Sequence, residues 1–280
     1  MIKIARTRTA AHLKGYTGSS LQTKLGKLVQ YYKDDGSTGA IDFKLKGRQV
    51  WGKAKPALKL ESSNKCAYCE ADTAVVAHGD VEHFRPKSLY WWLAYCYDNY
   101  TYSCQICNQT YKGDQFPVTG PRLPAPTLPV QWPTAKAAVQ SLLQTICPDP
   151  ASTNDAAVQA LFAGEDADLL NPYTVDPEAY FGWRVIPQTE EVWLVPRDTT
   201  VSARRAVKAA EALLGLNRQE LLRLRWNAFD ALETTVLALQ HGTFDDADRR
   251  DLLQRIRRQA NGDRPFAGMK RYFLREWGLL

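Results

Sequence analysis

A chain of 280 residues is long enough for one large domain or two small ones, and its hydrophobic content of 45% is ordinary for a folded protein. The formal net charge of +6 suits a phosphate-bearing partner without establishing one. No apolar run approaches the roughly 18 residues that a membrane span needs, and the first residues lack the apolar block of a signal peptide. The sequence therefore excludes a membrane-spanning protein and predicts a cytoplasmic location.

Residues 1–65 are predicted to form a helical N-terminal segment. One helix carries a stripe of residues at helical spacing, which is more typical of core packing than of function. The stripe consists of Leu21, Leu25, Leu28, Val29 and Tyr32. A shorter helix is expected around Trp51–Leu60, and Pro56 must lie in its first turn or kink it.

Residues 66–117 contain two Cys-x-x-Cys pairs, and each two-residue spacer lets a tight turn aim both sulfurs at one metal. The four cysteines are Cys66, Cys69, Cys104 and Cys107. They predict one tetrahedral structural zinc. The 34 residues between the pairs exceed the usual gap of roughly 15 to 20, so the zinc would close a large loop.

Inside this loop the pattern predicts strands, a turn and a helix. The expected bounds are Thr73–Ala77 for one strand, His78–Gly79 for a turn, Val81–Phe84 for a second strand and Ser103–Lys112 for the helix. The aromatic stretch Leu89–Tyr102 is expected to pack as core over the zinc site rather than to stack on bases. Cys96 and Cys147 are expected to be structural thiols, because a disulfide is disfavoured in a chain without a secretory signal.

Eight prolines from Pro117 through Pro150 predict an irregular connection over residues 118–150, with one helix inside it. Residues 151–280 are predicted to be mainly helical with one short hairpin, formed by Tyr180–Ile186 and Glu191–Val195. The helices are expected over 155–162, 199–214, 217–240, 245–260 and 265–280, with left-handed glycine caps at Gly215, Gly242 and Gly262. The predicted fold is α+β and mostly helical.

The last third carries a set of nine cations that reads either as a solvated face or as a contact for nucleic acid. They are Arg249, Arg250, Arg255, Arg257, Arg258, Arg264, Lys270, Arg271 and Arg275. No phosphate-cradling loop of the Gly-x-x-x-x-Gly-Lys-Ser/Thr type occurs, so the sequence offers no ATP-hydrolysing site of its own.

Four polar residues between and just after the cysteine pairs have the chemistry that phosphodiester hydrolysis requires. They are Glu82, His83, Asn99 and Asn108. A histidine can deprotonate a water near neutral pH, because its unperturbed pKa lies near 6.5. A hard divalent ion held by oxygen ligands, Mg²⁺ or Mn²⁺, can stabilise the charge that develops on the phosphate.

The order and spacing of this set resemble the HNH, or ββα-metal, nuclease family. Sixteen residues separate His83 from Asn99, and nine more lead to Asn108. In that family an acidic residue and a histidine lie on one strand, an asparagine on the next, and a last histidine or asparagine on the following helix. Paired cysteines often clamp the hairpin to that helix through a structural zinc.

The resemblance implies a zinc-stapled ββα-metal core in which His83 is the general base. Glu82 and Asn108 would hold the catalytic Mg²⁺ or Mn²⁺, and Asn99 would orient His83 or fix the hairpin. Because neighbours on a regular strand point to opposite faces, Asp80 is an alternative or additional metal ligand. The substrate backbone would be contacted by Arg85, Lys87 and Lys112.

Longer stretches resemble one subgroup, the HNH subunit of the Septu anti-phage system, which also occurs as a retron-associated effector. They are CAYCE, VEHFRPKS, SCQICNQTYKGDQFP, LLNPYTVDPE, ALLGLNRQELLRLR and PFAGMKRYF. The resemblance implies a partner ABC-type ATPase and a nucleic-acid substrate, with DNA favoured over RNA or tRNA. The alternative is a non-catalytic zinc-ribbon adaptor that binds nucleic acid or a partner.

Overall fold

The computed structural model describes residues 1–36, 40–73, 78–131 and 133–280. The chain is α+β, with about 47% of it helical and with two-stranded sheets in the described residues. The predicted α+β class is confirmed. In the described part of the chain, no helix is long and apolar enough to cross a membrane.

The α-helices of the described residues are α1 (Gly18–Asp34), α2 (Lys55–Glu61), α3 (Lys136–Ile146), α4 (Asp155–Phe162), α5 (Val201–Leu214), α6 (Gln219–His241), α7 (Asp246–Gln259) and α8 (Ala267–Glu276). The predicted stripe of α1 is buried except for Tyr32, which is half-buried and stacks on Trp91 with ring centroids 4.0 Å apart. A 3-10 turn, Trp51–Ala54, precedes α2, and Pro56 lies in the first turn of α2 as expected.

The first hairpin pairs β1 (Asp80–His83) with β2 (Tyr100–Ser103) in antiparallel register, Asp80 opposite Ser103 and His83 opposite Tyr100. The strand predicted over Val81–Phe84 is therefore confirmed with a shift of one residue. Residues 74–77, most of the other predicted strand, lie outside the described residues. The helix predicted after β2 is a π-helix, Ile106–Lys112, a form that is frequent at functional sites.

The second hairpin pairs β3 (Phe181–Ile186) with β4 (Glu191–Pro196), as predicted. Of the three predicted left-handed caps, only Gly215 has a positive φ, 57°. The prediction is wrong at Gly242, where the chain leaves α6 in an extended conformation with φ −77°. It is also wrong at Gly262, because the Ala260 amide closes the last turn of α7 two residues earlier.

A hydrophobic cluster joins all four segments of the predicted domain organisation, since it includes Leu21, Tyr95, Leu143 and Phe229. The aromatic stretch lies largely in the interior, as expected: Tyr90, Trp92, Tyr95, Tyr97, Tyr100 and Tyr102 are all buried. The boundaries at 65, 117 and 150 stay predictions about the sequence.

Cys96 and Cys147 form a disulfide, which corrects the prediction that both are thiols. They are 51 residues apart in sequence, and Cys147 follows directly on α3. The packing of α3 beside the aromatic stretch brings the two sulfurs together. The lack of a secretory signal bears on the redox environment of the chain. It does not determine which cysteines the tertiary structure makes neighbours.

Candidate active site and metal centre

The four cysteines of the two Cys-x-x-Cys pairs meet in one buried cluster. The Sγ atoms of Cys66, Cys69, Cys104 and Cys107 all lie within 4.8 Å of one another, and those of Cys69 and Cys104 are 4.0 Å apart. A tetrahedral ion with bonds of about 2.3 Å would set its sulfur ligands roughly 3.8 Å apart. The donor set and its spacing therefore fit a structural metal ion such as zinc.

Local backbone geometry shapes each cysteine pair. In the first, Glu70 has φ 61° and donates its amide to the Cys66 carbonyl at 3.0 Å, which closes the turn. In the second, the Cys107 amide lies 3.4 Å from Cys104 Sγ. Arg218, at the start of α6, places its guanidinium 3.6 Å from Cys107 Sγ and partly offsets the charge of the thiolates. The cluster thus ties the hairpin to the C-terminal helices.

A cleft of about 420 Å³ opens beside β1. Five of the predicted site residues line it: Asp80, Glu82, His83, Lys87 and Asn108. Arg85, Asn99 and Lys112, the other three, do not line it. The fold therefore brings together a histidine, two carboxylates and an amide that come from β1 and from the π-helix.

His83 is the last residue of β1 and its ring is held by two aromatic neighbours. Trp51 and Tyr100 approach it edge-on, with centroids 4.9 and 5.1 Å away. Its Nε2 lies 3.0 Å from the Ala94 carbonyl, which can only accept, so Nε2 carries the proton and Nδ1 does not. Burial lowers the pKa of His83 to about 3, so the ring is neutral at pH 7.

Glu82 directly precedes His83, and because β1 ends at His83, both side chains line the cleft. Burial raises the pKa of Glu82, and the neighbouring Lys112 ammonium works in the other direction. Lys112 Nζ lies 2.5 Å from Glu82 Oε1, outside hydrogen-bond geometry, and donates to the His83 carbonyl at 3.1 Å. Lys112 is fully buried, so in this structure it neutralises Glu82 and supports the end of the strand.

Asp80 and Asn108 meet across the cleft. The Asn108 side-chain amide donates to Asp80 Oδ2 at 3.3 Å, and the Gln109 amide donates to the same oxygen at 2.8 Å. Asp80 lies on the same face of β1 as Glu82, two residues away. Both carboxylates that the sequence left open as metal ligands therefore belong to one site.

Asn99 lies behind the cleft and holds the backbone. Its Oδ1 accepts from the Arg85 amide at 2.8 Å, and its Nδ2 donates to the Arg85 carbonyl at 2.9 Å. It makes no hydrogen bond to His83 among the described residues. Of the two roles left open for Asn99, this geometry corresponds to fixing the hairpin.

Arg85 is buried in an ion pair rather than exposed toward the cleft. Its guanidinium lies 2.7 Å from Glu165 Oε2 and 3.5 Å from the ring centroid of Phe162. Glu165 also accepts from the Tyr90 hydroxyl at 2.6 Å. Among the three cations expected to contact substrate, only Lys87 lines the cleft.

Residues that sequence reasoning missed complete the cleft wall. Trp51 and Lys55 come from the N-terminal segment, Gln109 lies within the π-helix, and Asp114 follows two residues after its end. Lys87 Nζ lies 5.6 Å from the Trp51 ring centroid. No sequence signal marks Trp51, because its neighbours read as an ordinary short helix.

Two curated relatives match part of this chain, and both are named Septu protein PtuB. The relative from Bacillus mycoides (strain KBAB4) is 36% identical over 77 residues, which is 23% of this chain and 26% of the relative. Over these residues the chain is similar to PtuB. The Bacillus thuringiensis PtuB is 36% identical over 92 residues, or 31% of this chain and 36% of the relative. The predicted Septu resemblance is confirmed.

The matches span about a quarter and about a third of the length of the two PtuB proteins. No family model matches the chain, and no solved structure matches it.

Proposed function

We propose that the chain is a metal-dependent endonuclease of the HNH, or ββα-metal, class, which hydrolyses phosphodiester bonds as an effector of anti-phage defence. The observation that carries the proposal is the cleft that contains a neutral His83 beside Glu82, Asp80 and Asn108. A base and oxygen ligands at one wall are the two components that hydrolysis of a phosphodiester requires.

In this mechanism His83 takes the proton of the attacking water through Nδ1. Its Nε2 proton is already committed to the Ala94 carbonyl, which fixes the tautomer and the ring orientation. A pKa of about 3 makes the buried imidazole a weak base by itself. A phosphate entering the cleft raises that pKa, because a nearby negative charge favours the imidazolium.

The catalytic ion, Mg²⁺ or Mn²⁺, would be held by Glu82 and Asn108, with Asp80 as a possible further ligand. The fit rests on the carboxylate of Glu82, which is buried and paired with the Lys112 ammonium, and on the side-chain carbonyl oxygen of Asn108, which accepts no hydrogen bond in the described part of the chain. Mg²⁺ commonly uses one or two carboxylates, with water and substrate phosphate completing its shell. When bound, it would supply the positive charge that stabilises the phosphate and the leaving oxygen.

The remaining residues hold these groups in place. Lys112 donates to the His83 carbonyl, and Asn99 clamps the backbone at Arg85, two residues after the base. The cysteine cluster, to which we assign zinc, anchors the π-helix that carries Asn108. The partner is expected to be an ABC-type ATPase, and DNA is favoured over RNA or tRNA as substrate.

The test is cleavage of plasmid DNA and of total RNA by the purified chain with EDTA, Mg²⁺ or Mn²⁺, with and without the neighbouring ATPase. His83→Ala should reduce metal-dependent cutting by roughly 10²- to 10⁴-fold. His12→Ala is the matched control, because His12 is half-buried, lies outside the cleft, and its side chain bonds only Thr9 among the described residues. A folded, zinc-loaded His83→Ala protein that cuts at the parental rate would refute the assignment.

A zinc-ribbon adaptor is the second candidate, and two observations favour it. Lys112 already balances the charge of Glu82, and the described residues contain no metal-ligating group of three or more His, Cys, Asp or Glu besides the four cysteines. The adaptor predicts nucleic-acid binding that survives His83→Ala and no metal-dependent cleavage with the ATPase present.

A further inference from the structure

A second, cationic cavity of about 540 Å³ lies between α7 and the start of α8. It is lined by Arg255, Arg258, Gln259, Arg264, Pro265 and Lys270. Four of these six residues are cations, no carboxylate is among them, and Pro265 is the one apolar member. The cavity shares no lining residue with the cleft at His83.

Most of the nine C-terminal cations bind groups of the protein, and this holds for part of the cavity lining too, since Arg264 pairs with Asp263 at 3.8 Å. Arg271 and Arg275 both bind Glu178, at 2.6 and 2.8 Å. Arg249 and Arg257 donate to the carbonyls of Leu239 and Leu279, and Arg255 pairs with Asp251. The side chains of Arg258 and Lys270, in contrast, make no hydrogen bond or ion pair shorter than 4.0 Å among the described residues.

Lys270 is the most informative member of the lining. It is only 9% exposed, and its ammonium interacts with the buried Glu70 carboxylate and with the cations Lys65 and Arg264. Lys65 lies behind the same turn, where its Nζ donates to the carbonyls of Gly262 and Arg264 at 2.6 and 2.8 Å. Glu70 also pairs with Lys65 and with the N-terminal amine, so one carboxylate balances several cations, and a bound anion would offset the remaining positive charge.

We infer that this cavity binds phosphates of a nucleic-acid backbone, as an accessory contact outside the cleft. Guanidinium groups match phosphate oxygens in bidentate geometry, and several cations in one cavity can contact successive phosphates. A protein partner would be expected to cover an apolar centre, and this lining offers only Pro265. The inference rests on the proposed function only in taking the bound nucleic acid to be the substrate of the cleft.

The test is fluorescence anisotropy of labelled 30-nucleotide single-stranded and 30-base-pair duplex DNA with the full chain. No Mg²⁺ or Mn²⁺ is added, so binding is measured without cleavage. Arg258→Gln is compared with Arg250→Gln, a matched loss of one exposed arginine on α7 that does not line the cavity. Lys270→Gln is the second variant, and thermal melting checks that all three are folded.

Losing one phosphate contact should reduce the slope of log K against log salt by about 0.9, which corresponds to roughly a ten-fold weaker affinity at 50 mM salt. We expect this change for Arg258→Gln and for Lys270→Gln, and a much smaller one for Arg250→Gln. Equal weakening by Arg250→Gln and Arg258→Gln would indicate only diffuse charge and would overturn the inference. Unchanged binding in Arg258→Gln and Lys270→Gln would also overturn it. An acidic protein would then be the alternative ligand of the cavity.

Cleavage and binding separate the two proposals. If His83→Ala cuts nucleic acid like the parent while Arg258→Gln weakens binding, the nuclease assignment is wrong and the inference about the cavity is supported. If His83→Ala abolishes cutting and the cavity variants bind like the parent, the nuclease assignment stands and the cavity inference fails.

Discussion

In both hairpins of this chain, an asparagine side chain fixes the backbone, but only the first hairpin lines the cleft. In the first, Asn99 bonds both the amide and the carbonyl of Arg85, at 2.8 and 2.9 Å. In the second, Asn217 bonds both the amide and the carbonyl of Leu194, each at 2.9 Å. In each hairpin, an asparagine from outside the strands therefore fixes one backbone position.

Their other supports differ. The strands of the first hairpin have four residues each and are separated by residues 84–99, whereas those of the second have six and are joined by residues 187–190. The first is stapled by the cysteine cluster, and the second is packed on α5 and α6 through Val192 and Leu194. A short hairpin with a long connection is marginal by itself, so the geometry of the cleft depends on distant supports.

Loss of the structural metal should give the largest difference between the hairpins. Cys69→Ser removes one of four buried ligands, and structural zinc sites contribute on the order of 10 kcal/mol in small domains. We expect a large drop in thermal stability and loss of bound zinc, measured by calorimetry and metal analysis. Zn²⁺ should restore a chelated parent protein, and Mg²⁺ should not. A Cys69→Ser protein that melts like the parent would contradict the role of the cluster.

A substitution that creates a cavity beneath the second hairpin should destabilise the protein without changing the cleavage rate. Leu194 is 1% exposed, so Leu194→Ala should lower the free energy of unfolding by about 2–5 kcal/mol. Urea unfolding measures that loss, and cleavage assays well below the melting temperature should give a near-parental rate. Leu237→Ala, at an exposed position of α6, is the control and should change stability by less than about 0.5 kcal/mol. A large rate loss in folded Leu194→Ala would give the second hairpin a part in the site.

The two asparagine clamps offer a matched pair of variants. Asn99→Ala removes three side-chain hydrogen bonds to backbone, and Asn217→Ala removes two to backbone and two to the side chains of Glu211 and Arg225. Each should reduce stability by about 2 kcal/mol. Only Asn99→Ala should also reduce the cleavage rate, because it loosens the chain two residues after His83. Urea unfolding and initial cleavage rates are the measurements. Equal rates in the two variants would mean that the first clamp does not position the base.

The smallest expected effect concerns pH. The folded pKa of His83, about 3, lies below its ordinary value near 6.5. Between pH 6.5 and 3, His83 therefore binds a proton in the unfolded chain and not in the folded chain. The contribution of the neutral His83 to the free energy of unfolding is complete above pH 6.5 and is lost as the pH falls toward 3. Between pH 6.5 and 5.5 the parent should lose about 1 kcal/mol more than His83→Gln does. His12→Gln is the control, and parallel curves for parent and His83→Gln would refute a buried neutral histidine.

Much of the secondary structure could be predicted because its signals are local. The stripe of α1, the proline at the start of α2 and the second hairpin depend on residues within a few positions of one another. The cysteine cluster was predicted for the same reason, since each pair forms its own turn. Five predicted site residues line one cleft because β1 and the π-helix are adjacent in the fold.

The sequence by itself determined which residues can act as a base or as metal ligands, and which short segments form helices, strands and turns. Only the tertiary structure decided which residues are neighbours. Arg85 pairs with Glu165, 80 residues away, and so does not line the cleft, whereas Trp51 of the N-terminal segment does line it. The tertiary structure likewise joined Cys96 to Cys147 and buried Lys270 near Glu70 and Lys65. These contacts depend on how separate helices pack, and packing is a property of surfaces that distant parts of the chain share.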